Sequence, residues 1–272
     1  MTIELTDAQL ERYARHVILD EVGEEGQAKL LAARVLVVGA GGLGAPVLLY
    51  LAAAGIGQLT VADHDTVELS NLQRQVIHST ETIGQPKAES AAIAIRRLDP
   101  DARVTALVEK VTAANVEALV AGHDLVVDGT DNFAARYLLN DACFFGGVPL
   151  VSAALLRFEG QISTYKAHEP GESRPCYRCL FRAPPPADLV PRCEQAGIFG
   201  AVAGVVGTMQ ATEVLKEILG LGDSLAGTLL LYDALAASVR RIRAKRDPDC
   251  PLCGTHPTIR DLSEHVAPQR AA

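Results

Sequence analysis

The chain has 272 residues, 49% of them hydrophobic and 21% charged, with a formal net charge of −8, six cysteines and no tryptophan. That length and balance describe a globular protein able to bury one sizeable core, and they exclude a disordered or fibrous chain. An acidic balance with only 4% aromatics also argues against a nucleic-acid surface, which needs basic grooves and stacking rings. The charged, amphipathic start MTIELTDAQLERYARH has no signal-peptide pattern. The apolar stretch from Ile198 to Met209 is broken by Gly200, Gly204 and Gly207 and is too short to span a bilayer. The expected setting is therefore cytoplasmic, with no membrane partner. In a reducing compartment six cysteines point to metal binding or chemistry before disulfides.

Residues 1–30 read as a polar helical arm, with Thr6 placed to cap a helix start. Val35 to Val38 is a continuous apolar run of strand length, the pattern of a parallel strand covered on both faces. Gly39-Ala40-Gly41-Gly42-Leu43-Gly44 follows, then an apolar helix from about Leu43 to Ala54 in which Pro46 falls in the tolerant first turn. Gln58 to Ala62 is a second strand ending at Asp63, completing a βαβ crossover. Pro86 opens a helix carrying Ala88, Ala91, Ala92, Ile95 and Leu98 on one face. Val104–Val108 and Leu125–Asp128 read as strands, with helices at Asn115–Val120 and Asn132–Phe145. Closely spaced strands at Leu150–Ala154 and Gln161–Tyr165 predict an antiparallel extension. Residues 168–197, with Pro170, Pro175, Pro184 to Pro186 and Pro191, form an irregular crossover segment. A helix over Ala201–Leu219 and strands near Leu229 and Ser238 complete the pattern. The expectation is one α/β domain over 1–272: a Rossmann-like, doubly wound, largely parallel sheet over a nucleotide-binding core at 31–166, with residues 248–272 closing the chain.

Gly39, Gly41 and Gly44 have the G-x-G-x-x-G spacing that sets backbone N–H groups and a helix N-terminus against a phosphate, and Asp63 ends the next strand where it could hold a ribose hydroxyl. Up to this point an NAD-dependent oxidoreductase would look the same. Further along, Asp65, Ser70 to Gln75, Gly84 to Lys87 and Asp128 to Asn132 place polar groups at strand ends and helix starts that share one crevice in a doubly wound sheet. Arg74 and Lys87 are cations able to face a triphosphate, and Asp131 is an oxygen ligand suited to magnesium. A hydride-transfer site needs neither.

Arg12-Tyr13-Ala14-Arg15, the Gly39–Gly44 loop, Ser70-Asn71-Leu72-Gln73-Arg74-Gln75, Pro86-Lys87, Asp128-Gly129-Thr130-Asp131-Asn132, Glu159-Gly160-Gln161 and Pro175-Cys176-Tyr177-Arg178-Cys179 together resemble the MoeB/ThiF/HesA family, bacterial relatives of ubiquitin-activating enzymes. MoeB-type molybdopterin-synthase adenylyltransferases come nearest. The resemblance runs from about Asp7 to Cys253. It implies a homodimer that uses ATP and magnesium to adenylate the C-terminal glycine of a small ubiquitin-like sulfur-carrier protein. By resemblance, Gly42 and Asp63 contact the nucleotide, Ser70, Asn71, Leu72, Gln73, Arg74 and Lys87 line the phosphates, Asp131 holds magnesium with Asn132 beside it, and Arg15 reaches the neighbouring subunit's ATP. A nucleotide-dependent oxidoreductase and a silent carrier-binding scaffold stay as alternatives, and molybdopterin, thiamin or cysteine carriers are not distinguished. Some relatives carry a rhodanese domain that supplies sulfur. This chain ends 19 residues after Cys253, so a separate sulfurtransferase is the expected donor.

Cys176-x-x-Cys179 and Cys250-x-x-Cys253 are two knuckles suited to one closed tetrahedral zinc site, with a structural role. Cys143 reads as a small core residue. Cys193, beside Arg192 and Glu194, is either a thiol nucleophile toward the activated carrier, as in some relatives, or an accessible thiol without a task. The seven histidines show no paired metal spacing and receive no role. The basic run from Arg240 to Arg246 reads as a solvated strand end, and the residues after Cys253 as a polar tail.

Overall fold

Strand β1 (Arg34–Val38) sends Val35 and Val37 into one core cluster and Leu36 and Val38 into another, as the two-residue side-chain period of a strand covered on both faces requires. The computed structural model describes residues 4–171, 174–184 and 197–266. Around β1 lie β2 (Gln58–Ala62), β3 (Arg103–Leu107), β4 (Leu125–Asp128), β5 (Leu150–Leu156), β6 (Glu159–Tyr165), β7 (Thr228–Asp233) and β8 (Ser238–Arg243). They form one sheet in the order β3-β2-β1-β4-β5-β6-β7-β8. Strands β1 to β5 pair in parallel, and β6, β7 and β8 add on antiparallel, so the doubly wound sheet with an antiparallel extension is borne out. Strand order reverses between β1 and β4.

Helices α4 (Gly44–Ala53), α5 (Lys87–Leu98) and the long α9 (Gly200–Leu219) cover one face, and α6 (Val116–Ala121) and α7 (Phe133–Gly146) the other. The apolar stripe of α5 buries Ala88, Ala91, Ala92 and Ile95, but Leu98 is exposed. The helix ends there, and Asp99 turns inward instead, accepting a hydrogen bond from the Tyr13 hydroxyl at 3.4 Å. The N-terminal arm is helical as expected but breaks into α1 (Asp7–Arg12), α2 (Ala14–Val17) and α3 (Gly23–Ala32). Thr6 and Gln9 form a reciprocal capping box at its start, satisfying two otherwise orphaned N–H groups. Tyr13 is buried between the arm and the body, and a Cβ at Gly55 would lie 2.6 Å from its ring.

The irregular segment after Ala167 includes a short helix, α8 (Tyr177–Leu180), opening directly after Cys176. The expected polar tail is corrected: through Val266 the chain folds back, burying Ile259 and Leu262. That spacing of apolar residues lets the segment pack on the body instead of trailing in water. No helix among the described residues is long and apolar enough to cross a membrane.

Candidate nucleotide site and metal knuckle

The carboxyl ends of the parallel strands form the crevice, and the glycine loop sits at its centre, where the strand order reverses. In open α/β sheets this is where ligands bind. Gly39 has φ +95°, and a Cβ there would lie 2.8 Å from the Gly129 carbonyl oxygen; one at Gly44 would sit 1.8 Å from the Gly39 carbonyl oxygen. Both positions therefore exclude any side chain. A Cβ at Gly42 would meet Ala203 at 3.4 Å and the Arg74 stem at 3.6 Å, so α9 and Arg74 close in on the loop. Asp63 is buried; its Oδ2 accepts from the Ala40 N–H at 2.7 Å and its Oδ1 from the Asp65 N–H at 2.9 Å. The carboxylate thus holds the loop, with second lone pairs left for a ligand.

Lys87 begins α5 and is buried up to its ammonium, whose Nζ lies 3.0 Å from the exposed Asp65 carboxylate. Arg74 donates to the Ser70 carbonyl at 3.1 Å. Asn71 is buried and serves its own turn, its Oδ1 accepting from the Glu68 N–H at 3.1 Å. Ser70 and Gln73 are exposed and Leu72 is half-buried. Gln75 is buried beside Gly41 with its Oε1 lacking a partner. An unpaired buried amide is costly unless something meets it.

Asp128 is fully buried and neutralised in place: Arg136 Nε at 3.2 Å, Ser152 Oγ at 2.7 Å and Thr130 Oγ1 at 2.7 Å all donate to it. It shapes the loop that follows, where Asp131 is exposed and without a hydrogen bond or ion pair among the described residues. Asn132 caps α7, accepting from the Ala135 N–H at 2.9 Å. Gln210 of α9 donates to the Asp128 and Val151 carbonyls at 2.8 and 3.0 Å.

Of the expected site residues, the fold gathers Gly39, Gly41, Gly42, Gly44, Asp63, Ser70 to Arg74, Lys87, Asp131 and Asn132 around one crevice. Arg15 is not among them. It is exposed on α2, two residues from Tyr13, which packs at Gly55 beyond the far end of α4. The ten residues of α4 span about 15 Å, so Arg15 lies at the opposite end of the helix from the glycine loop. Cys193 lies outside the described residues.

The four knuckle cysteines converge: Sγ separations are 3.5 Å for Cys176–Cys250 and Cys176–Cys253, 3.3 Å for Cys179–Cys253 and 3.8 Å for Cys176–Cys179. Tetrahedral zinc with Zn–S near 2.3 Å sets neighbouring sulfurs roughly 3.8 Å apart, so the cluster fits the ion. The Asp247 N–H donates to the Cys179 Sγ at 3.4 Å. Behind the knuckle, Arg178 grips the buried Asp141 through Nε at 2.8 Å and Nη2 at 2.6 Å, over the Tyr137 ring, and His265 Nε2 lies 2.8 Å from the same carboxylate. Cys143 is buried as expected, and burial pushes its thiol pKa up.

Sequence reading missed His78, Arg136, Gln210 and His265. None sits in a spacing pattern, because each works by filling a buried polar position contributed by distant elements. Of the seven histidines, His78, His123 and His265 make buried or half-buried hydrogen bonds.

The ThiF family pattern matches residues 13–252. The chain belongs to the ThiF family. Among relatives of this ThiF-family chain, the SAMP-activating enzyme E1 of Haloferax volcanii is 52% identical over 93% of this chain and 92% of its own length. The sulfur carrier protein adenylyltransferase of Thermus thermophilus is 50% identical over 96% and 97%. The Bos taurus adenylyltransferase and sulfurtransferase MOCS3 is 50% identical over 96% of this chain, which spans 57% of that longer protein. Among solved structures, E. coli MccB with AMPCPP and MccA superposes with a TM-score of 0.78 at 23% identity, over 92% of this chain and 75% of MccB, a likeness of fold.

Proposed function

We propose that this ThiF-family chain adenylates the C-terminal glycine carboxylate of a small ubiquitin-like sulfur-carrier protein, consuming ATP and releasing pyrophosphate. The observation that carries the reading is the glycine loop sharing one crevice with Lys87 and Arg74; the names of relatives matched over nearly their whole length support it. ATP fits this cradle: bare loop glycines admit phosphates, and the unpaired Gln75 amide can turn its oxygen or its N–H groups to a ligand.

A carboxylate is ionised near pH 7, so attack needs no general base. A carboxylate oxygen bonds to the α-phosphorus while the bond to the bridging oxygen of pyrophosphate breaks, and no proton moves. The obstacle is one anion approaching another. Lys87 and Arg74 offset that repulsion and stabilise the departing pyrophosphate, while the loop N–H groups hold the triphosphate for in-line attack. Asp131 is the residue to hold magnesium, which would neutralise charge on the phosphates. Arg15, excluded from its own crevice, completes the partner's site in a homodimer, so that three cations surround each triphosphate. The Cys176, Cys179, Cys250 and Cys253 sulfurs hold a structural zinc that pins the C-terminal segment to the crossover segment. Metal analysis of protein prepared without chelator is expected to find one zinc per chain. Cys193 has either a covalent role toward the carrier or none, and Cys193→Ser compared in adenylation and in sulfur transfer separates the two.

The test is ATP–pyrophosphate exchange with candidate ubiquitin-like carriers. Exchange dependent on a carrier ending in glycine is expected. MgATP binding without exchange for any such carrier would favour the scaffold reading, and stabilisation by NAD instead of MgATP would favour the oxidoreductase.

A further inference from the structure

Ala40, the second residue of the glycine loop, is held on both sides. Its N–H donates to Asp63, and its carbonyl lies 2.9 Å from Nε2 of the buried His78. A carbonyl only accepts, so Nε2 carries the proton. On the other side of the ring Nδ1 lies 2.8 Å from Ser90 Oγ, which is 2.9 Å from Thr82 Oγ1. Burial and the nearby Lys87 ammonium push the His78 pKa down, while the Ala40 carbonyl and Asp63 oppose that. Both ring nitrogens are thus engaged, Nε2 with the Ala40 carbonyl and Nδ1 with the Ser90 hydroxyl. Ser90 stands one helical turn after Lys87 on α5.

The carbonyl of Ala40 and the N–H of Gly41 belong to one planar trans peptide and point in opposite directions. Drawing that carbonyl inward to His78 turns the Gly41 N–H away from it. Among the described residues that N–H donates to no backbone carbonyl. Since Asp63 already takes the Ala40 N–H, Gly41 is the first loop amide left for an anion.

The geometry points to His78 as the positioning residue of the nucleotide loop: it sets the direction of the Gly41 N–H and, through Ser90, locks the loop to the turn of α5 that carries Lys87. The inference rests on the nucleotide reading above. His78 touches no phosphate itself. Its effect passes through a backbone amide and through the register between two elements.

Two substitutions split the imidazole's functions. In His78→Gln the side-chain amide reaches about as far as Nε2 and can still donate to Ala40; in His78→Asn the shorter amide serves Ser90 and leaves the Ala40 carbonyl unmet. MgATP affinity of the full-length protein, measured by calorimetry alongside thermal melting, is expected to weaken on the order of 10-fold in His78→Asn and to stay within about 3-fold of wild type in His78→Gln. Wild-type affinity in His78→Asn, or equal loss in both, overturns the inference. Amide exchange of residues 39–44 without nucleotide supplies an independent readout. It is expected to speed about 10-fold in His78→Asn alone, and unchanged exchange there also overturns the inference. Failure of wild-type protein to bind MgATP, with the exchange pattern as expected, would sink the adenylation reading and leave the loop-positioning role standing. Should His78→Asn not fold, Ser90→Ala removes the Nδ1 partner more gently; a several-fold weaker MgATP affinity is expected, and unchanged affinity counts against the role.

Discussion

Replacing Lys87 by methionine separates the work of its charge from the work of its stem. The side chain is 9% exposed, whereas its ion partner Asp65 is 55% exposed. Methionine keeps an unbranched apolar chain of similar length in the same slot. What folding loses is one ion pair open to water on one side, about 0.2 to 1 kcal/mol. On the mechanism proposed above, catalysis would lose a positioned charge aimed at the developing pyrophosphate. Comparable preorganised groups contribute about 3 to 4 kcal/mol, or on the order of 100- to 1,000-fold in rate. Carrier-dependent ATP–pyrophosphate exchange measures the second quantity, and urea unfolding the first. The expected outcome is exchange down by at least about 100-fold in a protein destabilised by less than about 1 kcal/mol. Exchange within about threefold of wild type would refute the electrostatic argument, and so would a rate loss explained by unfolding.

Among the described residues, Arg178→Met leaves the buried Asp141 with only Asn140 and His265, and it is expected to cost about 3 to 5 kcal/mol in urea unfolding. Adding Asp141→Leu should recover part of that, and a double variant as unstable as the summed singles would contradict the buried-pair account. His78, with its lowered folded-state pKa, contributes stability that is intact well above pH 6.5, where folded and unfolded chains are both neutral. That stability declines as pH falls below about 6.5, because the unfolded imidazole takes the proton first. Asp124, lowered mainly by its hydrogen bond to Arg34, adds a further loss below about pH 4. Denaturant midpoints that stay flat from pH 8 to 5 would contradict the first part. If Arg15 acts across a dimer, an equal mixture of Arg15→Ala and Lys87→Ala chains, each inactive alone, should regain about a quarter of wild-type exchange, since random pairing makes half the dimers mixed with one intact site each. No recovery after verified reassortment would place Arg15 outside the reaction.

The parallel core was legible because β1, β2, β4 and β5 are short, largely apolar runs with glycine, proline or aspartate at an end, and the glycine loop has a fixed spacing with a local mechanical cause. Val35 to Asp63 could be read almost residue by residue. The four-cysteine knuckle was legible for the same reason, as two identical local spacings. What stayed hidden was polar burial. Asp128 reads as a site residue in its Asp-Gly-Thr-Asp-Asn run, yet Arg136, eight residues on, takes its charge inside the fold. His78, in contact with Ala40 across 38 residues of chain, and His265, in contact with Asp141 across 124, carry no periodic or compositional mark. The segment after Cys253 looked polar by count, but two spaced apolar residues, Ile259 and Leu262, are enough to fold it back.

The knuckle joins Cys176 and Cys250 across 74 residues of chain, and that stretch contains α9 and the outer hairpin β7–β8. With a metal in place the stretch becomes a closed ring. By the chain-entropy relation used for cross-links, a ring of that size removes about 4.5 kcal/mol of freedom from the unfolded chain. A single protease cut inside the ring would then leave both fragments tethered through four sulfurs, and chelation would be the step that releases them. The helix that meets Gly42 through Ala203 would thus be retained against the nucleotide loop by a metal clasp on the other side of the sheet.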